Sequence, residues 1–369
     1  MTAKIFRIVI KLFHWMSSKQ KTLIFLTPAF PANESEENWI SFQQILLRSI
    51  KKLYPGIKII VLSFIYPHTI SNYYWNEIEV FSFDGMKYRK IRRLLLWRNI
   101  WRKLNAIKKE HTITAIFSLW CGECALVGRY FGKRNSINHF VWICGTDARK
   151  SNKMVKLIRP SSDELIAMSD FLVDEFFLNH HIKPAHLIPP GIDLSMYSNS
   201  KSIRDIDIVG AGSLSILKQY NIFVDVIAGL KNRMPGIKAV LCGDGEDTER
   251  ISKMQKDYSL QQNLELTGML SPRETIRMMQ RSKIMLHPSS YEGFSMACYE
   301  ALYAGAHVIS FVKSMHQDIP QWHVVRSKEE MQQKAFELLN DPKLVNEPIF
   351  TYSMDDSVKK IVNLLGLSE

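Results

Sequence analysis

The chain has 369 residues, 46% hydrophobic and 23% charged, which supplies apolar material for more than one core and excludes a disordered chain. Formal net charge is +12, and the excess is all in the first half: residues 1–200 hold 28 Lys and Arg against 15 Asp and Glu, while residues 201–369 hold 20 against 21. The two halves therefore meet different partners, and the basic one expects an anionic surface such as phospholipid, lipid phosphate or nucleic acid.

In chain order, residues 4–16 place Lys4, Arg7, Lys11 and His14 on one narrow stripe of a helix that is otherwise large and apolar. Lys11 splits the apolar run and no small-residue cleavage site follows, which argues against a signal peptide. Thirteen residues at about 1.5 Å each reach about 20 Å, short of a bilayer core of about 30 Å. The segment therefore lies on a membrane or packs on the protein itself. From Thr22 onward, apolar runs at 22–26, 57–62, 78–81, 115–117, 140–143 and 165–168 alternate with helix-length segments, the rhythm of a parallel sheet covered on both faces.

Met86 to Lys109 carries ten Lys and Arg and no acid. On a helical projection Arg92, Arg98, Arg102 and Lys103 share one side with Asn99, while Leu94, Leu96, Trp97, Ile100, Trp101 and Leu104 share the other. Arg93 and Leu95 break the pattern. Two readings stay open, a solvated face on a core helix or a membrane-facing surface. Nucleic-acid binding is the weaker reading, because no motif for it accompanies the charge.

Five scattered cysteines fit a reducing cytoplasm, and Cys121-Gly-Glu-Cys124 lacks the second pair or histidine cluster of a zinc site. The sequon at Asn33-Glu34-Ser35 has no secretory context. Cys144-Gly-Thr-Asp147 follows the predicted strand 140–143, and the link between the halves is expected near 198–204.

In the second half, the strand at 206–209 runs into G-A-G-S-L-S-I-L-K. Gly212 and Ser213 let the backbone approach a ligand, and Lys218 sets a cation beside it. A strand at 238–241 leads to Gly243, and one at 264–267 leads to Gly268-Met269-Leu270. No spaced glycines with a ribose acid about 20 residues on are present, which lowers a dehydrogenase reading. Asp205-Ile-Asp207 spells a metal-binding D-x-D but stands at the start of a strand, whereas open α/β sheets bind ligands at strand exits. No metal site and no cofactor are expected.

The stretch His287 to Ser310 organises this half. A strand through Ile284, Met285 and Leu286 stops at His287-Pro288, a loop carries Glu292, and a helix opens near Ser295 and stops at Gly305. Backbone N–H groups near Phe294, Ser295 and Met296 make a phosphate site at the helix mouth. Glu300 lies about 7 to 8 Å further along, and an ionised carboxylate there suits the paired hydroxyls of a ribose. Two glutamates eight apart mean little by themselves.

The whole stretch, E-G-F, then E-A-L, then A-G-x-x-V-I, resembles the signature of the retaining glycosyltransferases of family 4. The resemblance is motif-specific from Asp207 to Ser310; before that it rests on Ile188-Pro-Pro-Gly-Ile-Asp193 with Tyr197, similar to the family's I-P-N-G-V-D-x-x-x-F, and on the strand–helix rhythm. It implies an α/β protein of the GT-B fold, two Rossmann-like parallel-sheet domains facing a cleft, with a last helix crossing back. The corresponding division is an amphipathic helix at 1–20, an acceptor domain at 21–200, a nucleotide-sugar domain at 201–354 and a final helix at 355–369. The family's roles place the transferred sugar on Glu292, the ribose on Glu300, and the donor on Gly212, Ser213, Lys218, Gly243, Met269, Phe294, Ser295 and Met296. Asp147 is carried over as a catalytic residue from a His-Gly-x-Asp pattern in which Cys144 replaces the histidine. Ser213 stands where the family usually has a diphosphate-binding Arg, and the loop after the first strand, T-P-A-F-P-A-N-E, lacks the family's paired glycines.

The implied function is metal-independent, retaining transfer of a hexose from a nucleotide sugar to a lipid-linked or cell-envelope saccharide, at the cytoplasmic face of an anionic membrane and with no nucleic acid as partner. Another GT-B sugar-nucleotide enzyme such as an epimerase, and an inactive membrane-binding scaffold, are the alternatives.

Overall fold

A computed structural model of the protein describes residues 21–37, 41–198 and 203–368. The helix expected at 4–16 and most of the link expected near 198–204 lie outside the described residues. Two compact units are present. One holds the first sheet together with Glu175–Ile188 and the chain from Ser357 onward; the other holds Met168–Asp174 and Pro189–Asp356.

The first unit is built on β1 (Lys21–Ala29), β2 (Lys58–Tyr66), β3 (Ile70–Trp75), β4 (Ile78–Phe83), β5 (Thr112–Leu119), β6 (Asn138–Ile143), β7 (Leu165–Ala167) and β8 (His186–Leu187). Their order in the sheet is β3-β4-β2-β1-β5-β6-β7-β8. Consecutive apolar residues rather than alternating ones make β1 and β2 central: Leu23, Ile24, Phe25 and Leu26 are fully buried, as are Ile60, Val61 and Leu62. A strand buried on both faces needs helices above and below, and a parallel register such as Leu23 beside Ile59 needs crossovers.

Two strands of this sheet lie outside the predicted runs, the short β8 at the sheet edge and β3. The stretch between the second and third predicted strands is not helical but holds β3, antiparallel to β4, closed by Asn76 and Glu77 at φ 44° and 62°. That pair of positive φ values is the two-residue turn whose twist matches a hairpin. At the far end of the chain, the helix Met354–Leu364 buries Val358, Ile361 and Val362, residues that belong to the first unit.

The second unit carries β9 (Ile206–Ala211), β10 (Ala239–Cys242), β11 (Leu264–Gly268), β12 (Ser282–His287), β13 (His307–Ser310) and β14 (Trp322–Val324). All are parallel, in the order β11-β10-β9-β12-β13-β14. β9 thus has β10 on one side and β12 on the other, so the winding direction reverses between β9 and β12. In an open α/β sheet, ligands bind at the strand exits beside such a reversal. One face is closed by the helices Tyr220–Lys231 and Lys328–Leu339, with Phe223, Val224, Ile227 and Met331 packed on Ile208, Leu241 and Ile284.

Candidate active site

β12 ends at the reversal because Pro288 has no N–H for the ladder. The loop that follows is held to the segment after β9: Ser290 donates its N–H to the Leu217 carbonyl at 3.2 Å, and the Ser289 hydroxyl bonds the Tyr291 carbonyl at 3.1 Å. This stitching brings Lys218, 74 residues away in sequence, onto Glu292, with which it forms an ion pair. His287 Nε2 lies 2.8 Å from the same oxygen, Oε1 of Glu292.

Glu292 is only 9% exposed. Burial alone would raise its carboxyl, but the hydrogen bond from His287 and the Lys218 charge outweigh burial and bring it down to about 2. Glu292 is therefore an anion at any ordinary pH. For His287 burial dominates and lowers the imidazole against the pull of Glu292. A neutral ring facing a carboxylate must donate from Nε2, which leaves Nδ1 as a bare acceptor, and Nδ1 is indeed buried with no partner among the described residues. His287 and Lys218 together hold one oxygen of Glu292 in place.

The helix Met296–Tyr303 begins just beyond. Ser295 at its mouth is left-handed, φ 61° and ψ 53°, and its carbonyl accepts the Cys298 N–H at 2.8 Å, so the first helical N–H groups face outward. Its own hydroxyl is buried without a partner among the described residues. The mouth is braced from behind: Ser169 donates to the Gly293 carbonyl, Ser314 donates to the Phe294 carbonyl at 2.9 Å, and Phe294 stacks on Tyr299 at 4.3 Å between ring centroids. Glu300 is half-buried one turn on. Burial, with no cation beside it among the described residues, pushes its carboxyl up to about 7. The Tyr197 hydroxyl donates to the backbone carbonyl of Glu300 at 3.2 Å, which fixes that turn but leaves the carboxyl for a ligand.

On the other side of the reversal, β9 and β10 end at Gly212 and Gly243, both at positive φ, 147° and 144°. A Cβ on Gly243 would stand 1.9 Å from the Gly212 carbonyl oxygen, so no side chain fits and bare backbone faces the strand exits. Ser213 is exposed beside this pair, and Met269, 61% exposed, follows β11. The expected donor residues thus lie on the exits of β9, β10, β11 and β12, with Lys218, Glu292 and the helix mouth grouped at the reversal.

Asp147 has different surroundings. In the first unit its buried carboxylate accepts N–H groups from Cys121 at 2.8 Å, Gly145 at 2.7 Å and Cys144 at 3.1 Å, which makes it the organiser of the loop after β6. The Cys144 thiol bonds the Trp142 carbonyl, and all five cysteines are free. Asp205 and Asp207 face cations, Arg281 at 2.9 Å and Lys283 at 2.8 Å. No group of three or more His, Cys, Asp or Glu able to hold a metal ion is present among the described residues. His287 was not singled out by sequence reasoning; its place at the end of the strand five residues before Glu292 was the available signal.

Residues 198–348, which include Lys218, His287, Glu292 and Glu300, match the family described as glycosyl transferases group 1. The chain is similar to that family through this segment. The chain is 22% identical over 263 residues to the phosphatidylinositol N-acetylglucosaminyltransferase gpi3 subunit of Schizosaccharomyces pombe, an overlap of 68% of this chain and 57% of that one. It is 24% identical over 219 residues to a phosphatidylinositol N-acetylglucosaminyltransferase chain of Arabidopsis thaliana, covering 56% and 49%. The chain spans about half the length of these curated relatives. Among solved structures it is similar to Anabaena HepE in complex with UDP and glucose, with a TM-score of 0.65, 14% identity, and coverage of 94% of this chain and 97% of that one. The fold is GT-B, with two Rossmann-like units, each built on a largely parallel sheet.

Proposed function

We propose that the protein is a retaining glycosyltransferase that moves a hexose from a nucleotide sugar to a saccharide acceptor that is lipid-linked or part of the cell envelope. The observation that carries the reading is the Glu292 anion, held by Lys218 and His287 at the mouth of a helix on the reversal of a parallel sheet. A nucleoside diphosphate sugar satisfies every part of that arrangement. Its diphosphate takes the helix N–H groups and Lys218, its ribose hydroxyls donate to Glu300, and its sugar meets Glu292. Gly212 and Gly243 give the nucleotide a bare backbone floor, with the Ser213 and Met269 side chains beside it.

In the reaction the bond between the anomeric carbon and the diphosphate oxygen breaks and the diphosphate keeps the electron pair. The acceptor hydroxyl forms the new bond and gives up its proton to the departing diphosphate oxygen, which has gained the electron pair. Negative charge grows on the leaving diphosphate, where Lys218 and the helix mouth stabilise it, while the fixed Glu292 anion stabilises positive charge developing on the sugar. Asp147 acts by shaping the loop after β6 rather than by direct contact, since its carboxylate is engaged by three N–H groups. Lys218 and the helix mouth supply the neutralising charge, so no metal is required.

The names of the relatives support a lipid acceptor, since two are named for phosphatidylinositol, and HepE was crystallised with UDP and glucose. On this reading the protein works at the cytoplasmic face of a membrane, where a lipid-linked acceptor is presented. No helix among the described residues is long and apolar enough to cross a membrane. A thermal-shift panel of UDP-, GDP- and ADP-sugars tests the donor reading: one base series should raise the midpoint and the others should not. Absence of any shift at saturating concentrations would contradict it.

A further inference from the structure

The helix Arg93–Glu110 buries Leu96, Ile100, Leu104 and Ile107 against the first sheet, one complete apolar stripe at spacings of four, four and three. Its core face needs nothing more. Yet the stretch that leads into it leaves large apolar side chains in solvent: Met86 is 54% exposed, Ile91 80%, Leu94 55% and Leu95 48%. Basic residues lie among them. Arg89, Lys90 and Arg92 are exposed and form no ion pair among the described residues, and Arg98 and Arg102 continue the charge along the outward face. The nearest acid on the neighbouring helix Glu123–Asn135 is already taken, since Glu123 accepts from Arg93 Nε at 2.6 Å.

Between these two helices runs a groove that changes character along its length. One part, about 300 Å³, is lined by Trp97, Trp101, Leu126, Val127 and Tyr130, with Arg98 at its rim. The adjoining part, about 660 Å³, is lined by Trp101, Tyr130, Lys133 and Arg134. A shallow apolar groove beside two cations has the chemistry of an acyl chain joined to an anionic headgroup. Tryptophan and tyrosine along such a groove are the residues that prefer the boundary between hydrocarbon and headgroups.

We propose that this surface docks the first unit on an anionic phospholipid bilayer. Ile91, Leu94 and Leu95 enter the interface, Arg89, Lys90 and Arg92 meet the headgroup phosphates, and one lipid lies in the groove beside Trp97 and Trp101. The mixture of exposed aliphatic and basic side chains decides between partners: nucleic acid or free phosphate would use the cations and leave the aliphatics in water. This contact involves no residue of the candidate active site and does not depend on the segment 4–16.

The test uses the full chain and sedimentation with vesicles of phosphatidylcholine containing phosphatidylglycerol, alongside vesicles of phosphatidylcholine alone. Each basic residue near an anionic surface contributes about fivefold in partitioning, so Arg89→Gln, Lys90→Gln and Arg92→Gln combined should lower it by about a hundredfold. Ile91→Ser, Leu94→Ser and Leu95→Ser combined should lower it by at least about tenfold, because insertion of aliphatic side chains is lost. All six positions are exposed, and both variants should keep the wild-type thermal midpoint and the wild-type shift with nucleotide sugar; that second readout separates this proposal from the donor reading. Undiminished partitioning in both variants, or equal partitioning of the wild type on vesicles without phosphatidylglycerol, overturns the proposal.

Discussion

Glu292 carries two contacts on one oxygen, and each fixes it for a different reason. Lys218 supplies charge and is shared with any diphosphate that arrives; His287 supplies direction and has no other partner among the described residues. Replacing His287 with Ala should therefore lower kcat about tenfold, the worth of one hydrogen bond to a charged group, and leave the donor Kd nearly unchanged. His287→Gln, which keeps an N–H donor, should recover most of that loss, and a donor Kd that worsens as much as kcat would show that His287 acts on the ground state instead. At Glu300 the prediction concerns pH. Burial holds the free carboxyl near 7, and ribose hydroxyls donate to its ionised form, so donor affinity should fall as pH drops through about 7. In Glu300→Gln affinity should be about ten- to a hundredfold weaker and lose that pH dependence. Calorimetric titration across the range reads both effects. The spacing of Glu292 and Glu300 was legible in the sequence because it repeats a family pattern, but the pairing with Lys218 and the ring of His287 depend on how two loops fold together. The loop around Asp147 is equally a matter of backbone direction, which residue types do not disclose.

Among the elements, the second sheet was the more legible one, since its strands are short apolar runs that end in glycine or proline. Gly212, Gly243 and Gly268 close β9, β10 and β11, and Pro288 closes β12. In the first sheet, the segment between β2 and β4 hid a hairpin because its turn is Asn76-Glu77, without the glycine that usually announces one. The helix Arg93–Glu110 gave the converse difficulty. Arg93 breaks its projection because it turns inward to Glu123 and the Gly85 carbonyl, and Leu95 breaks it by standing in solvent. The hairpin turn yields a stability test. Glu77 holds φ at 62°, a region costly for a residue with a side chain, and its contact with Lys51 at 3.6 Å is exposed and weak. Glu77→Gly should therefore stabilise the fold by up to about 1 kcal/mol in urea unfolding, the strain relieved less the extra entropy of an unfolded glycine. Destabilisation would mean that the turn is held by contacts of the Glu77 side chain.

For the whole molecule, the uneven charge and the two sheets assign separate tasks to the two units. The first carries the basic surface; the second carries a nearly neutral sheet with one concentrated site at its reversal. Because Lys218 and the helix mouth are assigned to the leaving diphosphate, and Asp205 and Asp207 already face Arg281 and Lys283, EDTA should leave transfer at its full rate. A strict requirement for added Mn²⁺ would return those two aspartates to the site. The central claim, that the fixed Glu292 anion serves transfer of a sugar with retention, is tested most directly by proton NMR of the product formed from an α-linked nucleotide sugar. An α linkage to the acceptor is the predicted result; a β linkage, or a nucleotide sugar returned with one carbon inverted, would contradict it.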